Sequence, residues 1–268
     1  MSDSLAPLTT MPAAQRQAVR GVFTDIDDTL TTHGKLTAEA YAALERLHAA
    51  GLLVIPITGR PAGWCDHIAR MWPVDAVIGE NGALAMRFDE REKKLVRRFA
   101  VGDAQRGAQS TQLYDIGRRI LRMVPGTAFA SDQRYRETDI AIDFCEDVAP
   151  LPRHAVERIV SLMEAEGMTA KVSSIHVNGW FGRYDKLAMA RTLLDEDFGI
   201  DLDAERGRFV FVGDSPNDAP MFSFFPLAVG VANVRAFADR IPAMPAFVTE
   251  SESGAGFVEV VRFLLEGT

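Results

Sequence analysis

The sequence predicts an α/β protein built on a Rossmann-like, doubly wound parallel sheet, with a smaller α+β domain inserted into it. Three observations carry this expectation. Short apolar runs such as Leu52–Ile57 and Phe209–Val212 alternate with amphipathic segments, as buried parallel strands alternate with covering helices. These runs end in acids, hydroxyls or glycine at their carboxyl ends, where open α/β sheets bind ligands. Between about Leu84 and Arg183 the texture changes, and both faces of the strands are no longer apolar.

Length and composition set the bounds. A chain of 268 residues, 47% of them hydrophobic, is long enough for one large domain or two moderate ones with a packed core. A formal charge of -8 argues against a nucleic-acid partner, whose phosphates demand neutralising cations. Anionic ligands remain compatible where a metal or a local cation supplies the counter-charge. Met1–Arg20 lacks the apolar run of a signal peptide, and no window reaches the length of a membrane span. A cytoplasmic protein with no membrane partner is therefore expected. Cys65 and Cys145 read as ordinary reduced thiols, with a single disulfide as the alternative.

Residues 1–20 are expected to form a flexible lead-in, residues 21–83 and 184–268 the core, and residues 84–183 the insert. The first core strand is Val22–Thr24. Thr37 is placed to cap a helix whose face is Ala40, Leu44 and Leu47 and which stops near Gly51. The second strand, Leu52–Ile57, runs into Thr58-Gly59-Arg60-Pro61, and Pro61 suits the first turn of the next helix. Asp75–Ile78 reads as a third strand, closed by the turn signal Asn81-Gly82. Within the insert, Leu113, Ile116, Ile120 and Val124 mark one helix, and Val156, Ile159, Val160 and Met163 mark another. Asp139–Phe144 alternates as a half-exposed strand does, and Thr169–Val177 reads as a strand returning to the core. The core resumes with a helix carrying Leu187, Ala190 and Leu194, for which Asp185 is the cap. The strand Arg208–Val212 follows, then short strands near Leu227–Val229 and Ala246–Val248, and a last helix carries Phe257, Val260, Val261 and Leu264.

The candidate chemistry sits at the strand ends. Asp25 and Asp27 are two residues apart, so in extended backbone they project to one side and address one centre. Taken alone, this is equally an acidic turn after a strand. Thr58, Gly59 and Arg60 before a helix start suit an anion, although a capped strand-to-helix turn explains them too. Lys186 lies in the first turn of its helix, where a cation opposes the helix dipole. That placement fits either a solvated surface or a lysine aimed at an anion. Gly213-Asp214-Ser215-Pro216-Asn217-Asp218 is a second acidic cluster at a strand end. Together the carboxylates suit a hard divalent cation, and the lysine with backbone N–H groups suits a phosphate.

With Asp25-Ile26-Asp27-Asp28-Thr29, Thr58, Lys186 and Gly213–Asp218 in this order, the chain resembles the haloacid dehalogenase superfamily of phosphatases. The position of the insert resembles the subfamily with a large α/β cap, which includes Cof-like sugar phosphatases and the sucrose-, trehalose- and mannosylglycerate-phosphate phosphatases. The resemblance covers roughly residues 21–83 and 184–266. It implies a Mg²⁺-dependent phosphatase acting on a small phosphorylated metabolite, a sugar or polyol phosphate. Asp25 would be the nucleophile and Asp27 the general acid and base, its pKa raised by neighbouring carboxylates. Thr58, Gly59 and Lys186 would hold the phosphoryl group. The metal would sit on the Asp25 and Asp214 carboxylates and the Asp27 carbonyl, supported by Asn217 and Asp218. Asp28 stands where the family more often has glycine. A phosphomannomutase-like outcome or a non-catalytic phosphate sensor are the alternatives. For the substrate's remaining part the candidates are Arg60, Asn81, Arg134, Arg136, Ser174, His176 and Asn178, with His176 equally able to face water. The cap is expected to hinge near Gly82 and Gly182.

Overall fold

The computed structural model describes residues 5–173 and 175–266, so the candidate Ser174 lies outside the described residues. Six parallel strands form the central sheet, in the spatial order Ala6–Pro7, Phe247–Val248, Leu227–Gly230, Phe209–Gly213, Gly21–Thr24 and Leu53–Pro56. The two strands that end in acids are neighbours, with Thr24 paired to Val212. Alternation along each strand feeds the two faces. Val22, Val54 and Val210 pack under the helices Ala38–Ala49 and Ser253–Glu266, while Phe23, Ile55 and Phe211 pack under Lys186–Phe198 and Ala219–Phe224. The doubly wound core follows from that period of two.

The helix Ala38–Ala49 begins as expected, with Thr37 accepting from the Ala40 N–H, and Asp185 accepts from the Ala188 N–H at the start of the lysine-bearing helix. The lead-in differs from expectation. Ala6–Pro7 is an edge strand on Phe247–Val248, and Leu8 and Met11 are buried against the last helix and its neighbours. Apolar residues three apart dock a one-turn segment that composition alone reads as loose.

Val77–Gly79 bridges Ile57 through Ile78 and pairs antiparallel with Leu84–Asp89, which pairs in turn with Lys94–Phe99. Residues 84–99, assigned to the insert by texture, therefore extend the core. Leu84 and Met86 bury against Ala62, Cys65 and Ile68 of the helix Ala62–Met71. The insert's own antiparallel sheet runs Ala128–Phe129, Asp139–Asp143, His176–Trp180, Thr169–Val172. The stretch expected as one strand thus belongs to two strands paired antiparallel, with Val172 opposite Val177. Helices Asp103–Met123 and Arg153–Ala165 cover one face, burying Ile140, Ile142 and Val177 with Ile116, Ile120 and Ile159. The other face is not solvated as expected, because Asp139, Asp143, His176 and Asn178 are all buried. It closes over the carboxyl ends of the core strands.

At the joint, Gly82 has φ +100°, and a Cβ there would stand 2.0 Å from the Asp185 carbonyl oxygen. Only glycine lets the third strand pass the start of the lysine-bearing helix. Neither cysteine forms a disulfide. Among the described residues no helix is long and apolar enough to cross a membrane.

Candidate active site

The neighbouring strands deliver Asp25 and Asp214 to the same end of the sheet, and the Asp25 N–H is anchored on the Val212 carbonyl at 2.9 Å. Lys186, from the helix packed on the phenylalanine face, reaches to Asp25 and Asp218. Its Nζ lies 2.6 Å from Asp25 Oδ1 and 2.8 Å from Asp218 Oδ1, all three buried. Burial opposes the lysine's charge, but Asp218 and Asp25 overcome it and raise its pKa. The cation of this helix start is therefore aimed at carboxylates instead of solvent. Asp218 also accepts from the Asp214 N–H through Oδ2 at 3.1 Å. Gly213 permits this, because a Cβ there would come 2.5 Å from that same oxygen.

One oxygen from each of Asp25, Asp214 and Asp218 lies within 4.8 Å of the others. Burial, followed by Asp218 and Asp25, pushes the Asp214 carboxyl well up. Burial likewise raises Asp25 to about 8, against the lowering effect of Lys186 and with Asp218 and Asp27 adding to it. Carboxylates crowded in a dry place with one shared lysine favour a further cation, and an all-oxygen donor set suits Mg²⁺. The Asp214 oxygens are oriented by Thr29 Oγ1 at 3.1 Å and Asn233 Nδ2 at 3.0 Å. Asn217 accepts from Ser215 Oγ at 2.6 Å and lines the same cavity.

Asp27 is placed differently from expectation. Its carboxylate turns to Arg60, whose Nε and Nη2 donate to Oδ1 at 3.0 and 2.9 Å. Asp27 is itself one of the carboxylates whose crowding raises Asp25. Arg60 also faces Glu146 at 3.4 Å and Asp132 at 3.5 Å, both from the insert, and its guanidinium lies 4.6 Å over the Trp64 ring. Thr58 is fully buried, and its Oγ1 accepts from the Arg60 N–H. Gly59 and Asn81 are adjacent, with 3.2 Å between the Asn81 amide and a Cβ built on Gly59. Asp28 has φ +56°, a left-handed conformation that aspartate tolerates and glycine prefers.

The insert's candidates divide. Arg134 is exposed and lines neither cavity that Asp27 touches. Arg136 is buried, but its guanidinium is already held by Asp139 at 3.1 Å, Asp132 at 3.2 Å and the Gly59 carbonyl at 3.0 Å. Asn178 donates to Asp139 at 2.9 Å. His176 does not face water: it is 2% exposed, and its Nε2 lies 2.8 Å from Glu146, which holds that carboxyl below its usual range. His176 and Asn178 line the cavity above Asp25, a space of about 30 Å³.

Four contributors were missed from the sequence. Asn233 ties Asp214 to the Asp28 carbonyl. Glu146 and Asp132 complete the surround of Arg60. Glu80, fully buried, accepts from the Ala62, Glu137 and Thr138 N–H groups and from Thr138 Oγ1, binding the core turn to the insert. An acid directly after a buried strand was the one local signal for Glu80. Asn233 and Glu146 had none.

Comparison with known proteins agrees with this geometry. Residues 22–106 match the family model of haloacid dehalogenase-like hydrolases. A phosphoglycolate phosphatase of Methanosarcina mazei is 26% identical over 250 residues, covering 91% of this chain and 96% of that protein. A structure from Thermoplasma acidophilum superposes with a TM-score of 0.68 at 19% identity, over 92% of this chain and 98% of the other. A haloacid dehalogenase subclass IIB sugar phosphatase gives 0.62 at 14% identity, over 91% and 98%. The chain is thus similar to haloacid dehalogenase-like hydrolases over residues 22–106, and the curated relatives it resembles over 91% of its length are named as phosphatases.

Proposed function

We propose that this chain is a Mg²⁺-dependent phosphatase that hydrolyses a sugar or polyol phosphate through an aspartyl-phosphate on Asp25. The observation that carries the reading is the buried set of Asp25, Asp214 and Asp218, with Lys186 paired to Asp25 and Asp218, under a lid of polar side chains. Asp25, with Asp214 and the Asp27 carbonyl, would hold the metal, with Asn217 and Asp218 in support. Bound there, Mg²⁺ would supply charge stabilisation for the phosphoryl oxygens.

In the first half-reaction an Asp25 oxygen forms the bond to phosphorus as the bond to the leaving oxygen breaks, and Asp27 gives that oxygen its proton. Water then attacks the same phosphorus, Asp27 takes the proton back, and Asp25 is regenerated with inorganic phosphate. Thr58, the Gly59 backbone and Lys186 bind the phosphoryl oxygens and neutralise charge spread over them. Arg60 orients Asp27 at the edge of the site, and His176 and Asn178 exclude water from above.

Sugar and polyol phosphates are favoured by the likeness to the sugar phosphatase. A second reading, phosphoglycolate, is favoured by the sequence relative named for it. The test is phosphate release from sugar, polyol and carboxylic-acid phosphates, with Mg²⁺ and with chelator. Metal-dependent release that falls by at least about 10³-fold in Asp25→Asn supports the reading. Metal-independent release, or full activity in that variant, overturns it. An isomerised phosphate ester in place of free phosphate would assign a mutase.

A further inference from the structure

The cavity above Asp25 cannot hold a whole substrate. At about 30 Å³ it has room for a phosphoryl group, given that a single water requires about 10–15 Å³ of such space. The leaving group must lie elsewhere, beside the acid that protonates it. Asp27 and Arg60 also line a second cleft of about 510 Å³, a volume typical of small-molecule sites. A third recess of about 300 Å³ opens beside Lys186 and Arg183, but Asp27 does not reach it.

The composition of the larger cleft is distinctive. Its walls are largely apolar, with Ile26, Leu36, Ile68 and Trp72, and its rim carries Trp64 and Tyr135. These two aromatics are 41% and 59% exposed, so that, beside the Arg60 guanidinium on one face of the Trp64 ring, each presents ring surface to a ligand. Thr31, His67 and Asp27 add polar atoms at the edge. Arg60 arrives already matched by Asp27, Glu146 and Asp132, so it offers little to a second anionic group. Aromatic rims with hydroxyl partners and no uncommitted guanidinium suit a neutral, polyhydroxylated ring, whose C–H face lies on an aromatic plane while its hydroxyls reach polar edges.

Resting on the phosphatase reading above, we infer that the Trp64–Tyr135 cleft is the leaving-group subsite and takes the ring of a monophosphorylated sugar. Specificity is then set chiefly by the core helix Ala62–Met71 and by one insert residue, Tyr135. The inner face of the insert, with His176 and Asn178, closes over the phosphoryl group instead. A two-carbon acid phosphate would leave the cleft unfilled.

The test compares acetyl phosphate, phosphoglycolate and a panel of pentose and hexose monophosphates in the wild type, Trp64→Ala, Trp64→Phe and Tyr135→Ala. Expected is a wild-type preference for ring substrates. In the alanine variants kcat/KM for rings should fall at least tenfold further than for acetyl phosphate, mainly through KM, with recovery in Trp64→Phe. Tyr135 is largely exposed, so its truncation tests the cleft even where Trp64→Ala folds poorly. Equal losses on rings and on acetyl phosphate would overturn the assignment, as would a wild-type preference for phosphoglycolate; in both cases phosphatase activity itself stands. No release from any donor would instead remove the phosphatase reading, and the subsite with it.

Discussion

At the strand ends of the core, three buried carboxylates crowd together and a lysine answers two of them, whereas on the inner face of the insert the charges answer one another. Arg136 is bound by Asp132, Asp139 and the Gly59 carbonyl, and Asn178 completes Asp139. Asp143 uses both oxygens to accept from the N–H groups of Cys145, Glu146 and Asp147. Asp25 and Asp214, in contrast, keep pKa values raised chiefly by burial. The difference separates architecture from chemistry: a buried polar network that is complete holds parts in place, and one with surplus charge is poised for a ligand.

The largest expected effect breaks the core cluster outright. Lys186→Ala leaves Asp25 and Asp218 buried without their cation, and a loss of about 3–5 kcal/mol in stability is expected. Activity per folded molecule should fall by at least about 10³-fold, read by phosphate release beside a denaturant titration. Arg136→Ala should cost a similar 3–5 kcal/mol, because it strands Asp132 and Asp139. Its loss of activity per folded molecule should be far smaller, and equal losses in the two variants would erase the contrast between the regions.

Metal sharpens the comparison from the core side. Mg²⁺ at a hundred times its dissociation constant should raise the unfolding free energy by about 3 kcal/mol. Asp214→Asn should abolish most of that gain, while Arg136→Ala should keep it. A gain that survives in Asp214→Asn would place the ion elsewhere.

The smallest expected effect lies at the seam. Burial, then Asp139, pushes Glu80 up to about 7, against the N–H and hydroxyl donors that favour its ionised form. A carboxyl raised in the fold contributes stability that is fully present below its unfolded pKa near 4.5 and is lost as pH rises through 7. The slope of stability against pH across that window should therefore flatten in Glu80→Gln, by an amount on the order of 2–3 kcal/mol in total. An unchanged slope would show that the four donors keep Glu80 ionised throughout.

How much could be read from the chain differs in the same way. Strand ends, caps and the alternation Val22/Phe23, Val54/Ile55, Val210/Phe211 are local patterns, so the doubly wound core and the convergence of Asp25, Lys186, Asp214 and Asp218 were legible. The docked start of the chain was not, because Leu8 and Met11 gain their burial from a sheet edge and helix more than 230 residues away. Nor was the extension of the core by residues 84–99, since a charged hairpin tip at Glu90–Lys94 masks strands whose buried residues meet helices apart in the chain, Leu84 and Met86 on Ala62–Met71 and Ala85 on Lys186–Phe198.

By itself, the sequence determined the class of fold and the carboxylate–lysine chemistry, because each depends on a residue's place at the end of its own strand or helix. Only the tertiary structure decided that Asp27 turns to Arg60, that Arg136 is committed to the insert's own acids, and that a cleft bordered by Trp64 and Tyr135 opens beside Asp27. Each of these depends on which partner a long side chain meets across the core–insert seam. That choice is made by packing between residues distant in the chain, where Coulomb attraction and burial are set together.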